Sequence, residues 1–194
     1  MHLELGCGKG GFIAELAASV PEINFLAMDM KSEVLALAKR KAEKSFAAAG
    51  RRQDNLLLFA WDIERLDAVF QPGEDVFERI YINFCNPWPK PRHHKHRLTH
   101  TRQLLLYRNY LPDGGQIRFK TDDDELFADS IGYFEEAGFR IDFLTRDLHA
   151  SGFSENVETE HEQMFTEQGL TTKFLIAEKV GNLPHLAEKA LRTT

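Results

Sequence analysis

The sequence predicts an α/β fold, a mostly parallel sheet with helices on both faces. Three observations carry that expectation. Short apolar runs alternate with stretches of helical spacing along most of the 194 residues. The chain opens on a strand that runs into a glycine-rich turn and then a helix. Gly50, Gly114 and Gly138 follow helical stretches, where a helix stop is expected.

In order, the expected strands are residues 3–5, 24–28, 55–61, 78–84, 116–121, 139–144 and 172–177, chosen for apolar and β-branched runs bounded by turn residues. The expected helices are residues 11–20, 32–49, 101–110, 123–137 and 160–168. Strands separated by helices favour right-handed crossovers and therefore parallel pairing. With 43% hydrophobic side chains and 15 Phe, the chain has material for one full core, assigned to residues 1–180. The polar stretch 181–194 is set apart as a tail.

Several classes fall away on composition. No apolar run is long enough to span a bilayer. Two cysteines, Cys7 and Cys85, are too few for a disulfide framework and lack zinc-site spacing, which suits a reduced cytoplasm. No leader precedes the first strand, so this is either a short protein or a fragment. The formal charge of −6 argues mildly against nucleic acid, but its distribution does not. From Arg79 to Pro112 there is no Asp or Glu, while seven Lys and Arg and four of the eight His fall there. Monomer and homodimer are equally compatible with the sequence.

The opening Leu3-Glu4-Leu5-Gly6-Cys7-Gly8-Lys9-Gly10-Gly11 fits two templates. Gly6, Gly8 and Gly11 satisfy a dinucleotide pattern, whereas Glu4 with Gly6, Gly8 and Gly10 satisfies that of S-adenosylmethionine enzymes. Asp29 ends the second strand, where a carboxylate meets a ribose diol with either cofactor. Asp62 follows the third strand in Ala60-Trp61-Asp62-Ile63, suited to reading an adenine amino group beside an apolar wall. That leans toward S-adenosylmethionine. Helix capping and solvated turns are the structural alternatives for these acids.

After the fourth strand comes Asn86-Pro87-Trp88-Pro89-Lys90-Pro91-Arg92-His93, a proline-stiffened loop at the ligand-binding edge of the sheet. Trp88 or Phe84 suits base stacking, Asn86 hydrogen bonding, and Lys90 and Arg92 phosphate contact. The clustered histidines lack the spacing of a metal site, and no metal is expected. Competing readings are a nicotinamide-dependent oxidoreductase, an RNA-binding module without catalysis, and an amino-group methyltransferase, which the Asn-Pro-aromatic run resembles.

With Arg97-Leu98-Thr99, Phe119-Lys120-Thr121-Asp122 and Thr159-Glu160-His161-Glu162 added, the ordered motifs resemble the bacterial tRNA (guanine-N7-)-methyltransferases over nearly the whole chain. The resemblance implies a class I methyltransferase fold, a Rossmann-like sandwich whose seventh strand is antiparallel. It implies methyl transfer from S-adenosylmethionine to N7 of a variable-loop guanosine in tRNA. Carried onto this sequence, Glu4, Gly6, Gly8, Gly10, Asp29, Asp62 and Asn86 become cofactor positions. Lys90, Arg92, Asp122, Thr159, Glu160, His161 and Glu162 become substrate positions, with Asn86 and Asp122 nearest the chemistry. Two departures stand out: the family usually has Asp at position 86, and a basic segment usually precedes the glycine loop. Thr159 and Glu162 also form a capping-box pattern, which explains them without any ligand.

Overall fold

The computed structural model describes residues 1–181. Seven strands, β1 (His2–Leu5), β2 (Phe25–Asp29), β3 (Leu56–Ala60), β4 (Arg79–Asn83), β5 (Gln116–Thr121), β6 (Phe139–Thr145) and β7 (Lys173–Lys179), form one sheet in the order β3-β2-β1-β4-β5-β7-β6. All pairings are parallel except those of β7, which runs antiparallel to both β5 and β6. The helices are α1 (Gly11–Ser19), α2 (Ser32–Ala48), α3 (Thr101–Arg108), α4 (Asp124–Glu136) and α5 (Glu160–Glu167). The expected class and antiparallel last strand are both present. The stretch 182–194, nearly all of the expected tail, lies outside the described residues.

Every expected element is there, with ends shifted by local chemistry. Asn55 precedes β3: its backbone carbonyl accepts from Phe25 of β2, and its side-chain amide donates to the carbonyls of Ala17, Val20 and Ile23 and ties off the end of α1. Asp123 is the N-cap of α4 rather than its first residue, accepting from the Leu126 amide at 2.7 Å. Two 3-10 turns, Ile63–Ala68 and Pro91–His96, occupy stretches read as loops.

Alternation along the central strands splits the interior in two. On one face Leu3, Leu5, Ile80, Ile82, Ile117 and Phe119 pack against α3 and α4. On the other, Phe25, Ala27 and Tyr81 pack against Phe12, Ile13 and Ala17 of α1 and Phe46 of α2. This second face is unusually polar for a covered parallel sheet. The register aligns His2 with Arg79, Glu4 with Tyr81 and Arg118, and Asn83 with Lys120. Chain order reverses between β1 and β4, the switch point where α/β sheets bind ligands at the carboxyl edge.

Candidate active site

At that switch point a cleft of about 620 Å³ runs across the carboxyl ends of β1, β2, β3 and β4. Its floor is the glycine loop. Gly6, Gly8 and Gly10 have φ of 76°, 51° and 71°. Such values strain any residue with a side chain. A Cβ on Gly8 would meet nothing within 4 Å, so its backbone is open to a ligand. One on Gly10 would lie 2.4 Å from the Ala38 Cβ, so this glycine lets α1 and α2 close on each other. No side chain caps α1, which leaves its first amides facing the cleft without a side-chain acceptor.

Asp29 accepts from the Gly8 amide at 2.9 Å and the Lys31 amide at 3.0 Å, which fixes its carboxylate at the rim. Asp62 accepts from the Glu64 amide at 3.0 Å and lines the cleft beside Ile63. Glu4 is 2% exposed. Its Oε1 accepts from the Asn83 side chain at 3.0 Å, and its Oε2 has no partner among the described residues. Burial raises the Glu4 pKa to about 7, against the Asn83 hydrogen bond and the Lys120 charge, which lower it. A buried carboxyl with one unmet acceptor suits a cationic or N–H donor ligand.

The opposite wall comes from the loop after β4. Phe84 and Trp88 are the non-glycine residues with positive φ among those described, at 50° and 44°, and both line the cleft. Strain of this kind concentrates at functional sites. Phe84 stacks on His161 with ring centroids 5.9 Å apart and an interplanar angle of 21°. Between them Asn86 is exposed, its Oδ1 accepting from the Trp88 amide at 3.0 Å. The Trp88 ring lies against His96, whose Nδ1 is 2.8 Å from the Glu64 carboxylate, and Arg102 holds the other Glu64 oxygen. Those two partners draw the Glu64 pKa down against a desolvation that raises it.

Arg97, 1% exposed, braces this loop from behind. It donates from Nε to the Pro87 carbonyl at 2.7 Å and pairs with Asp129 and Glu125 of α4. His94, Glu125 and Asp129 bring donor atoms within 4.8 Å of one another, and the Arg97 guanidinium already lies among them. Neither cysteine has a nucleophile's environment: burial pushes Cys85 up to about 12 and Cys7 higher still.

Of the sequence-nominated residues, Glu4, Gly6, Gly8, Gly10, Asp29, Asp62, Asn86, Thr159, Glu160 and His161 all line the cleft. Lys90 and Arg92 are exposed beyond its mouth. Asp122 is half-buried at the end of β5, outside the cleft wall, with its backbone carbonyl held by Lys173 at 2.8 Å. Glu160 and Glu162 separate. Glu160 is exposed over Gly11 and pairs with Lys41. Glu162 is fully buried, completes the capping box with Thr159 and accepts from Lys120 and Asn156. Its oxygens are committed inside the protein. Sequence reasoning gave no role to Asn83, Glu64 or the Arg97 brace. The spacing of Asn83 from Tyr81, two residues back on one face of a strand, was the available signal for the first.

Known proteins resemble the chain in sequence and in fold. The family model Methyltransf_4, a methyltransferase family, matches residues 1–175. A tRNA (guanine-N(7)-)-methyltransferase of Clostridium perfringens is 56% identical over 180 residues, covering 93% of this chain and 82% of that protein. Its namesake from Ruminiclostridium cellulolyticum is 58% identical over 179 residues, covering 92% and 75%. Among solved structures, an antibiotic-related methyltransferase superposes with a TM-score of 0.64 at 16% identity over 92% of this chain and 87% of that one. A precorrin-6y C5,15-methyltransferase from Geobacter metallireducens gives 0.59 at 15% over 92% and 79%. With its class I methyltransferase fold and these relatives, the chain belongs to the tRNA (guanine-N(7)-)-methyltransferase family.

Proposed function

We propose that this enzyme transfers the methyl group of S-adenosylmethionine to N7 of a variable-loop guanosine in tRNA, in the cytoplasm. One observation carries the reading: an acid-lined glycine loop and an aromatic loop leading into cations face each other across a single cleft at the β1/β4 switch point.

The cleft fits the cofactor on its own residues. Glu4 offers a buried Oε2 with no partner among the described residues, Gly8 leaves open space, and Asp29 and Asp62 stand at the rim. Asp29 would hold ribose hydroxyls, Asp62 and Ile63 the adenine end, and Glu4 the amino group of the methionine end. When bound, the cofactor supplies an electrophilic sulfonium methyl group.

The protein's remaining task is positioning. Guanine N7 carries a lone pair and no proton, so no general base is needed and an amide at position 86 is compatible with turnover. Orientation of a nucleophile at about 3–3.5 Å contributes roughly 7–11 kcal/mol to lowering such barriers. Phe84, stacked on His161, and Trp88 give the base flat surfaces, and Glu160, one oxygen of which pairs with Lys41, is the acceptor facing its N1 and N2 donors. Lys90 and Arg92 meet backbone phosphate. The positive charge that develops on the imidazole ring is met by the Asn86 carbonyl, with Asp122 acting from outside the cleft wall.

Incubation with labelled S-adenosylmethionine and unmodified tRNA, followed by nucleoside mass spectrometry, tests this. N7-methylguanosine mapped to the variable loop is the expected product. Label on an exocyclic amine, or none with cofactor bound, would overturn the reading.

A further inference from the structure

The polar α1-side face of the sheet is not filled by packing. Between it, α1 and the segment around residues 153–157 lies a separate cavity of about 230 Å³. Its apolar wall is Phe12, Leu16, Val20, Phe153 and Phe174. Its polar wall is Arg79, Tyr81 and Arg118 of β4 and β5.

The charges of this wall are incompletely answered. Lys120, at one end, is fully engaged by Asn156, the Val157 carbonyl and Glu162. Arg118 is 9% exposed. It gives one terminal nitrogen to Glu155 at 2.7 Å, lies over the Phe153 ring, and leaves Nε with no partner among the described residues. Arg79 donates only to the Tyr81 hydroxyl at 3.4 Å and pairs with no carboxylate among the described residues. His2 adds no further charge. Burial and the nearby Arg79 lower its pKa to about 4, so it is neutral at pH 7, with its Nδ1 3.2 Å from the Tyr81 hydroxyl. Two guanidinium groups therefore face a lined space with one carboxylate, Glu155, between them, and that carboxylate is largely solvated. Arg79 is partly exposed and Arg118 buried, and a buried cation ordinarily has its donors met.

We propose that this cavity is a second ligand site, for a small carboxylate with an apolar body. The carboxylate sits between Arg79 and Arg118, where guanidinium groups bind such anions in forked geometry. The body lies against Phe12, Leu16 and Phe153. The volume is below the range of sites for drug-sized ligands, which restricts the class to molecules of about one ring or a branched chain. The site goes beyond methyl transfer and does not depend on it, although Phe12 and Asn83 are common to both cavities.

Benzoate, with benzyl alcohol as its uncharged counterpart, is the probe for ligand-observed NMR and calorimetric titration of the full chain. Benzoate is expected to bind saturably in about the millimolar range and benzyl alcohol at least about tenfold more weakly. Arg79→Gln is expected to weaken benzoate by about tenfold or more. Leu16→Phe, which fills the apolar end and keeps every charge, is expected to abolish binding. Asp29→Ala, in the other cleft, should leave it unchanged. Melting curves establish that each variant is folded, and Leu16→Phe keeps the test open if Arg79→Gln is not. Absence of saturable binding, equal binding of both probes, or loss in Asp29→Ala with retention in Arg79→Gln would each overturn the proposal.

Discussion

The glycine loop after β1 and the proline loop after β4 reach the same cleft from neighbouring strands, yet they are held by different means. The first is held from within: left-handed glycines, the Asp29 carboxylate on the Gly8 amide, and the close approach of Ala38 to Gly10. The second has two strained non-glycine residues and is held from outside, by Arg97 reaching to α4 and by Glu64 holding His96 against Trp88. A loop defined by its own backbone tolerates almost no change in place. A loop defined by distant side chains can be detuned while the fold survives. Under the proposed function this divides labour: the wall assigned to the cofactor is fixed by its own backbone, and the wall assigned to the base is open to adjustment.

The harshest way to break the comparison is Gly10→Ala. A methyl group 2.4 Å from the Ala38 Cβ, at φ of 71°, combines overpacking with backbone strain. Together these are expected to destabilise by about 4 kcal/mol. The melting temperature should fall by roughly 8–16 °C. A drop of under about 2 °C would show that the two helices yield easily and that the glycine loop is softer than described.

Glu4→Gln probes the same wall through charge. The Glu4 pKa is raised from 4.5 unfolded to about 7 folded, so the folded state favours the protonated form. The favourable contribution is complete below pH 4.5 and is lost as pH rises to 7, by up to about 3 kcal/mol. The neutral amide should therefore stabilise the ligand-free protein above pH 7 and make no difference near pH 4.5, as read from denaturant curves. Affinity for S-adenosylmethionine should rise with pH through 7 in the parent and lose that slope in the variant. Parallel stability profiles of the two proteins would contradict a buried, partly protonated Glu4.

Arg97→Met tests the other wall. Removing the brace on Pro87 should lower methyl transfer to tRNA about 10- to 100-fold through misplacement of the loop, with cofactor affinity changed by less than about twofold. Equal losses in both would mean that the two walls are not separable. Asp122→Ala should have a smaller effect, about tenfold on turnover, because Asp122 lies outside the cleft wall. Isothermal titration showing lost cofactor binding in that variant would sink its assignment to the substrate side.

The same contrast explains what was legible beforehand. Glu4, Asp29 and the three glycines stand at strand ends and in one glycine-rich turn, so residue type and spacing nominated them, although their partners Asn83, Gly8 and Ala38 lie 21 or more residues away. The Thr159–Glu162 capping box was legible for the same reason. Arg97 was quoted within a motif but its partners lie 28 and 32 residues further on, and no periodicity links them. Glu162 was nominated as a substrate position; its partner Lys120 on β5 is visible only once the sheet places the two together. The 3-10 turn at Pro91–His96 was hidden because one proline followed by five polar residues, after Pro87 and Pro89, reads equally well as a loop. The polar face of the central strands was hidden too, since Arg79, Tyr81, Asn83, Arg118 and Lys120 look like the solvated side of edge strands until β4 and β5 are placed at the centre.

Glu64→Gln is the mildest perturbation and the sharpest measure of how adjustable the second wall is. The His96 and Arg102 partners are partly solvated, so loss of the carboxylate should change stability by less than about 1 kcal/mol. Its effect belongs to the ring that His96 supports: KM for tRNA should rise by roughly two- to threefold with kcat nearly constant, and Trp88 fluorescence should shift as its contact with His96 loosens. Trp61, whose indole donates to the Arg65 carbonyl at 2.9 Å, serves as the internal reference that the Trp88→Phe background isolates. An unchanged spectrum with an unchanged KM would mean that Arg97 alone sets the loop, and the outer support of the base wall would reduce to a single buried side chain.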